Sequence, residues 1–243
     1  MYILSFRATG VCNSYKIPVF KNYHKSYLTP PKTVIIGMLC NIMNKGERYF
    51  YETLQHQINV SVVVEDLWWT MKDLWWYKTL SSGNQGKSVI RREKYVYPSY
   101  RIYLSFDDER IYDEVYQSLL SPQSIPSLGQ DDEMVSLRDV QKIDLTKSSY
   151  PIIHSAFATD NDISFRIKDM DFSKYMIAPT VHYMYTKFTT PYDAKTDKNQ
   201  KRNHRDVIEH KNIVEFYNTS VEIVKWSLQL WHDAKTNYTI SFY

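Results

Sequence analysis

Lys32 occupies a position whose charge works against the segment that carries it. It follows Thr29-Pro30-Pro31 and precedes Val34, Ile35, Met38, Leu39 and Ile42. Those apolar residues recur with a period near 3.6 and predict a helix with one apolar face. Thr29 suits an N-cap, and Pro30 and Pro31 suit a first turn, where an N–H is not missed. A lysine there adds a cation to the positive end of the helix dipole, which is mildly unfavourable. An anion docked at that end would relieve the repulsion and meet the free N–H groups of the first turn. A capped core helix with a solvated lysine is the plain alternative.

Other chemistries find less support. The chain contains no Walker loop, no Gly-x-Gly-x-x-Gly and no His-Glu-x-x-His. His204, His210, Asp206 and Glu209 are metal-ligating types, but their spacing does not converge on one helix face, and a solvated helix end is the expectation. Two cysteines, Cys12 and Cys40, are too few for a disulfide framework or a four-ligand zinc site. No metal and no cofactor is expected.

The elements that must position Lys32 can be read along the chain. With 243 residues, 43% of them hydrophobic, it can form one large domain or two small ones. Net charge is only +3, but its distribution is uneven. Arg7, Lys16, Lys21, Lys25, Lys32, Lys45 and Arg48 face Glu47 alone, and Lys78, Lys87, Arg91, Arg92, Lys94 and Arg101 face Glu93 alone. The stretch from Asp107 to Asp144 is acidic. Two basic zones and an acidic one imply a face for an anionic partner. The 21 Tyr and 6 Trp add flat surfaces suited to stacking on bases, although most aromatics serve the core. Without a secretory core or a spanning apolar run, a reduced cytoplasm is expected and no membrane.

Tyr2 to Arg7 alternates as a first strand, and Asn44-Lys45-Gly46 stops the helix. Ile58, Val60, Val62 and Val64 mark a second strand. Asp66-Leu67-Trp68-Trp69 recurs as Asp73-Leu74-Trp75-Trp76 and opens an excursion to Tyr97 with a glycine-bearing tip at 81–87. This reads as a β-hairpin thumb with a basic return arm of Arg91, Arg92 and Lys94, its tryptophans packing the thumb's base. Tyr100–Phe106 is a third strand, Asp107 caps a second helix, and Met134–Leu145 is a fourth strand. The order strand, helix, strand, strand, helix, strand is that of an α+β, ferredoxin-like domain, the topology of RNA-recognition domains. The fold expected is thus a ferredoxin-like domain over 1–147, its thumb at about 66–97, with a smaller strand-rich lobe over 148–243. Within that lobe, residues 193–211 form a polar loop with Lys195, Lys198, Lys201, Arg202, Arg205 and Lys211 but no Phe, Tyr or Trp.

Tyr15-Lys16-x-Pro18, then Ser26-Tyr27-Leu28-Thr29-Pro30-Pro31-Lys32-Thr33 running into Ile36-Gly37-Met38-Leu39, resembles the N-terminal signature of the fifth CRISPR-associated protein family (Cas-five, RAMP superfamily). Leu119-Leu120-Ser121-Pro122 and Ile125-Pro126-Ser127-Leu128-Gly129-Gln130 are similar to that family's proline loop ending in Leu-Gly. The resemblance covers residues 1 to 145 and is nearest the type I-B branch.

The resemblance implies a non-enzymatic subunit of a type I Cascade surveillance complex. Such a subunit caps the 5′ handle of the guide crRNA, touches the backbone subunit and the large subunit, and helps the complex engage target DNA. It places Tyr15, Lys16, Tyr27, Lys32, Ser127, Gly129 and Gln130 on the handle surface. Charge adds Lys25, Lys87, Arg91, Arg92 and Lys94 to the RNA-binding set. Lys198, Lys201, Arg202 and Arg205 are expected to contact DNA or a partner. The type I-C branch is a metal-independent endoribonuclease using Tyr, Lys and His. Such cleavage needs a base near a 2′-hydroxyl and a cation for the phosphorane. Tyr23, His24, Lys25 and Tyr27 lie close enough in sequence to serve, but the branch's adjacent Lys-His pair is absent, for no histidine lies between His56 and His154. A stand-alone RNA-binding protein is a third reading.

Overall fold

Alternation along Tyr2–Gly10 (β1) sends Leu4, Phe6 and Ala8 to one face, and Ile3, Ser5 and Arg7 to the other. The computed structural model describes residues 1–20, 22–78, 86–160, 162–170, 172–190, 206–225 and 228–243, with the backbone alone for Lys78, Lys87 and Lys225. Among these residues the chain is mostly β-sheet with few helices. After the helix Lys32–Ile42 (α1) come Ile58–Asp66 (β2), the hairpin Trp69–Lys78 (β3) and Lys87–Val96 (β4), and Ser99–Phe106 (β5). Helix Glu109–Leu120 (α2) and strand Val135–Ile143 (β6) follow.

Strands β2, β5, β1 and β6 form, in that order, an antiparallel four-stranded sheet. Its inner face, with Leu4, Phe6, Val60, Val62, Ile102 and Leu104, packs on Ile35, Ile36, Leu39 and Ile42 of α1 and on Tyr112, Val115 and Leu119 of α2. Full burial of each such aliphatic side chain contributes about 1.5–3 kcal/mol. Cys40 belongs to this core, and burial pushes its thiol up to about 12. Asn44, at φ 52, closes α1 in the left-handed conformation asparagine tolerates. Asp108, one residue beyond the expected cap, accepts from Arg110 N and Ile111 N at 2.8 and 3.4 Å.

The second half is strand-rich. Phe157–Thr159 (β7), Ile177–Phe188 (β9) and Val207–Tyr217 (β10) form one sheet in the order β7, β10, β9. Ser164–Met170 (β8) pairs with Thr219–Lys225 (β11), which also pairs with Ile152–Ile153. This half has its own buried cluster around Phe157, Val214, Val221 and Ile223, while Ala156, Met184, Ile213 and Tyr243 join the cluster around α1. Val60 and Tyr243 exchange backbone hydrogen bonds at 3.1 and 3.0 Å, and Ala156 N donates to Val62 O at 2.8 Å. The exposed edge of β2 is thereby covered.

Two expectations change. The tryptophans do not pack the base of the hairpin: Trp68, Trp69, Trp75 and Trp76 are 53%, 49%, 39% and 68% exposed. A two-stranded ribbon has no second layer to bury both faces against. The polar loop ends sooner than 211, because Val207 begins β10 and Glu209, His210 and Lys211 lie within that strand. Of the thumb tip, residues 81–85 lie outside the described residues, as do Lys198, Lys201, Arg202 and Arg205.

Candidate nucleic-acid interface

Thr29 does not cap α1. Its backbone N and its Oγ1 both donate to Glu215 Oε1 at 2.6 Å, and Glu215 Oε2 lies 2.6 Å from His182 Nδ1. Pro31 is the boundary residue of the helix and supplies no side-chain cap, so Pro30 and Pro31 precede the first turn. Lys32 is therefore the first helical residue, and it is buried at 3% exposure. Its ammonium makes no hydrogen bond or ion pair among the described residues. Lys187 and Lys211 lie close by, with Glu209 between them: Lys187 pairs with Glu209 at 2.5 Å and Lys211 at 3.8 Å. Burial, then the field of Lys187, lowers the Lys32 pKa from 10.5 to about 8. An unpaired ammonium beside a helix N-terminus is an arrangement that an incoming anion completes.

The connector before α1 is stitched to the hairpin. Ile17 N donates to Lys25 O, His24 N to Arg91 O and Glu93 N to His24 O, each at 2.8 Å. Lys16 and Arg91 are exposed beside this seam, while Lys25 is half-buried with its ammonium 5.7 Å from the Phe20 ring. Asn22, Tyr23, Lys72, Leu74, Arg91 and Glu93 line a shallow cavity of about 420 Å³ here. The His24 ring is 6.0 Å from Trp75, and burial, then Lys16 and Arg92, lowers its pKa.

The loop after α2 is held by one buried carboxylate. Glu133 accepts from Ser14 N, Ser14 Oγ, Gln130 N and Lys94 Nζ at 2.8, 2.6, 3.0 and 2.9 Å. Asn13 Nδ2 donates to Leu128 O and Glu133 O at 2.8 and 3.2 Å. Gly129 sits at φ +120, and a Cβ there would lie 2.1 Å from Glu133 Oε2 and 2.6 Å from Ser14 O. Only glycine fits. Ser127 and Gly129 line one wall of a groove of about 650 Å³, and Gly37 and Met38 of α1 line the other.

Several expected contacts must be corrected. Tyr15 and Tyr27 are 1% and 3% exposed and offer no ring to a base. Tyr15 packs edge-on to Tyr100 at 6.0 Å, and Tyr27 donates its hydroxyl to Tyr183 O at 2.6 Å. Arg92 and Lys94 are not free cations either. Arg92 is buried against Asp73 at 3.1 and 2.8 Å and lies 5.0 Å over the Trp75 ring, while Lys94 holds Glu133. Lys16, Arg91, Ser127 and Gln130 keep some exposure, and the Lys87 side chain lies outside the described atoms.

Lys187, Glu133 and Glu215 belong to the site without having been expected there. Lys187 and Lys211 are distant in sequence and meet through the antiparallel pairs Met184–Lys211 and Lys187–Glu209. Glu215 did carry a signal, since a carboxylate inside Ile213-Val214-Glu215-Phe216-Tyr217 is an acid in an apolar strand. His210 stacks on Tyr183 at 4.1 Å, and no group of three metal-ligating side chains suited to a metal exists among the described residues.

In comparisons with known proteins, the family model described as CRISPR-associated protein (Cas_Cas5) matches residues 3–222. A crystal structure of a CRISPR protein from Archaeoglobus fulgidus is similar at TM-score 0.56 and 10% identity, covering 99% of each chain. A chain of a CRISPR RNA-guided surveillance complex is similar at TM-score 0.51 and 12% identity, over 93% of this chain and 91% of that one. No curated protein matches. With a family model matched along nearly its whole length, the chain belongs to the CRISPR-associated Cas5 family.

Proposed function

We propose that the chain is a non-catalytic subunit of a type I CRISPR effector complex and binds the 5′ handle of the guide RNA. The observation that carries this is Lys32, buried and unpaired at the start of α1 with Lys187 and Lys211 beside it. A phosphate of the handle would complete that cluster and meet the first N–H groups of α1. The adjoining groove, walled by α1 and the Ser127–Gly129 loop, gives the neighbouring nucleotides a place to lie. Family membership supports the reading, and the similar chain from an RNA-guided surveillance complex agrees with it in fold.

In this reading the four-stranded sheet with α1 and α2 is the ferredoxin-like unit, since its elements follow one another in that order. The β3–β4 hairpin is the thumb that meets the backbone subunit, and the large subunit lies alongside. Residues 193–205 add phosphate attraction toward target DNA. The protein does not cut RNA. The adjacent Lys-His pair of the cleaving branch is absent, and the His24 imidazole lies against Trp75.

Two measurements test this. The chain purified with its guide RNA carries guides of one uniform 5′ sequence; random RNA ends would overturn handle recognition. Repeat RNA incubated with the chain in chelator stays intact. A discrete product, lost on His24→Ala, would establish the ribonuclease instead.

A further inference from the structure

The face of the four-stranded sheet opposite α1 carries a second, unassigned pocket. Strand register places Arg138, Arg7 and Arg101 directly across from one another on β6, β1 and β5. The next row outward is Ser136, Thr9 and Ser99. Three guanidinium groups in one cross-strand row repel unless acids separate them. Glu65 accepts from Arg7 Nε at 2.6 Å and from Arg101 Nε at 3.1 Å, while Asp139 Oδ2 lies 3.1 Å from Arg7 and 3.4 Å from Arg101. Arg138 has no such partner among the described residues and is exposed.

Above these rows lies a cavity of about 630 Å³. Thr9, Ser99 and Ser136 provide its hydroxyl-bearing floor, Arg138 lies on its rim, and Trp68 and Tyr97 form a wall. The two rings are 4.7 Å apart at 54°, and Trp68 remains 53% exposed. Both are fixed by backbone: Trp68 N donates to Val96 O at 3.2 Å and Tyr97 N to Val11 O at 2.9 Å. Tyr97 is held at φ 48, a conformation a non-glycine residue keeps where its surroundings impose it. The C-terminal residues Trp231, Ile240 and Phe242 cover the rest of this face, around Ile3 and Tyr103, and Tyr238 beside them lines the pocket as well.

An aromatic wall, a hydroxyl floor and one uncommitted guanidinium form a composite site. A bare phosphate is a poor occupant, because Glu65 and Asp66 also line the cavity and oppose an anion. An apolar protein anchor is poor too, because it would strip water from the Arg138 guanidinium without supplying it a partner. A nucleotide satisfies each element, with its base stacked on the indole, its sugar hydroxyls over the floor and its phosphate at the arginine. We propose that this pocket binds one unstacked nucleotide of single-stranded nucleic acid, its base against Trp68 and its phosphate at Arg138. Because α1 lies on the other face of the sheet, the site is separate from the lysine cluster and its occupancy does not depend on the handle reading.

The test uses five-nucleotide RNA and DNA strands carrying one 5-bromouracil, irradiated with the full chain and mapped by mass spectrometry. Crosslinks are expected at Trp68 or Tyr97, and Lys32→Gln should leave them in place. In that Lys32→Gln background, Trp68→Ala and Arg138→Gln should each weaken strand binding about fivefold or more. Arg138→Gln should also reduce the salt slope by about one. Phe172→Ser, an exposed change elsewhere, should alter nothing. Stronger binding of the RNA or of the DNA identifies the natural strand, and either supports the proposal. Crosslinks confined to α1 and the 127–130 loop, with both pocket variants binding normally, would overturn it. So would loss of a protein partner on Trp68→Ala with strand binding unchanged.

Discussion

The Lys94 ammonium and Glu133 Oε1 meet at 2.9 Å with both side chains buried, and this contact ties the hairpin's second strand to the loop after α2. The two residues are far apart in sequence. Their pairing holds Ser127 and Gly129 against α1 and Arg91 against the connector, so one buried ion pair couples two parts of the proposed RNA surface.

Glu133→Ala should lower unfolding stability by about 3–5 kcal/mol, the usual cost of stranding a buried charge. Lys94→Met should cost less, about 1–3 kcal/mol, because Ser14 N, Ser14 Oγ and Gln130 N still donate to the carboxylate. Urea unfolding of the two variants at one pH measures the difference. Equal losses would show that the three remaining donors do not hold the loop.

Gly129→Ala should be destabilising. The added Cβ would meet Glu133 Oε2 at 2.1 Å and Ser14 O at 2.6 Å, at a φ of +120 that alanine rarely adopts. A loss of roughly 1–3 kcal/mol is expected. Gly37→Ala, whose Cβ would meet nothing within 4 Å, is the matched control and should be neutral or slightly stabilising. Thermal melts of the two variants distinguish the loop requirement from a general intolerance of change.

Stability should rise between about pH 8 and 10.5 on account of Lys32, whose pKa is lowered from 10.5 to about 8 by burial. In that window the unfolded chain binds more protons than the folded one, so raising the pH favours the folded state. The penalty relieved is of the order of 3 kcal/mol. Lys32→Met should remove this rise and stabilise the free protein at pH 7. Handle affinity should move oppositely, falling as Lys32 loses its proton and falling outright in Lys32→Met. Parallel melts and RNA titrations from pH 7 to 9.5 check both signs. A melting temperature that drops on Lys32→Met would make the residue structural.

Leu74→Ser and Trp76→Ser on the hairpin should change stability by no more than about 0.5 kcal/mol, since these side chains are 67% and 68% exposed. Recovery of the assembled complex from cells should nonetheless fall several-fold, because exposed apolar area on a thumb is contact area for a neighbour. Normal co-purification of partner subunits with both variants would move the docking surface elsewhere.

Residue types and spacing determined the elements that local physics controls. The 3.6 period places α1, the alternation of Ile58, Val60, Val62 and Val64 places β2, and the strand-rich second half was legible in Ile163-x-Phe165-x-Ile167 and Val181-x-Tyr183-x-Tyr185. The motif running from Ser26 into α1 pointed to the family that the comparison then matched. Tertiary structure alone decided which of the candidate side chains are available. Tyr15, Tyr27, Arg92 and Lys94 look like free RNA ligands in one dimension, but each is claimed by a partner brought in from elsewhere: Tyr100, Tyr183, Asp73 and Glu133. Lys187 carries no local mark and Lys211 reads as part of a polar loop, and β9–β10 pairing brings both to the start of α1. Local periodicity reports which face of an element is apolar. Whether a polar group on that element is spent inside the fold or left for a ligand depends on long-range pairings that periodicity does not encode.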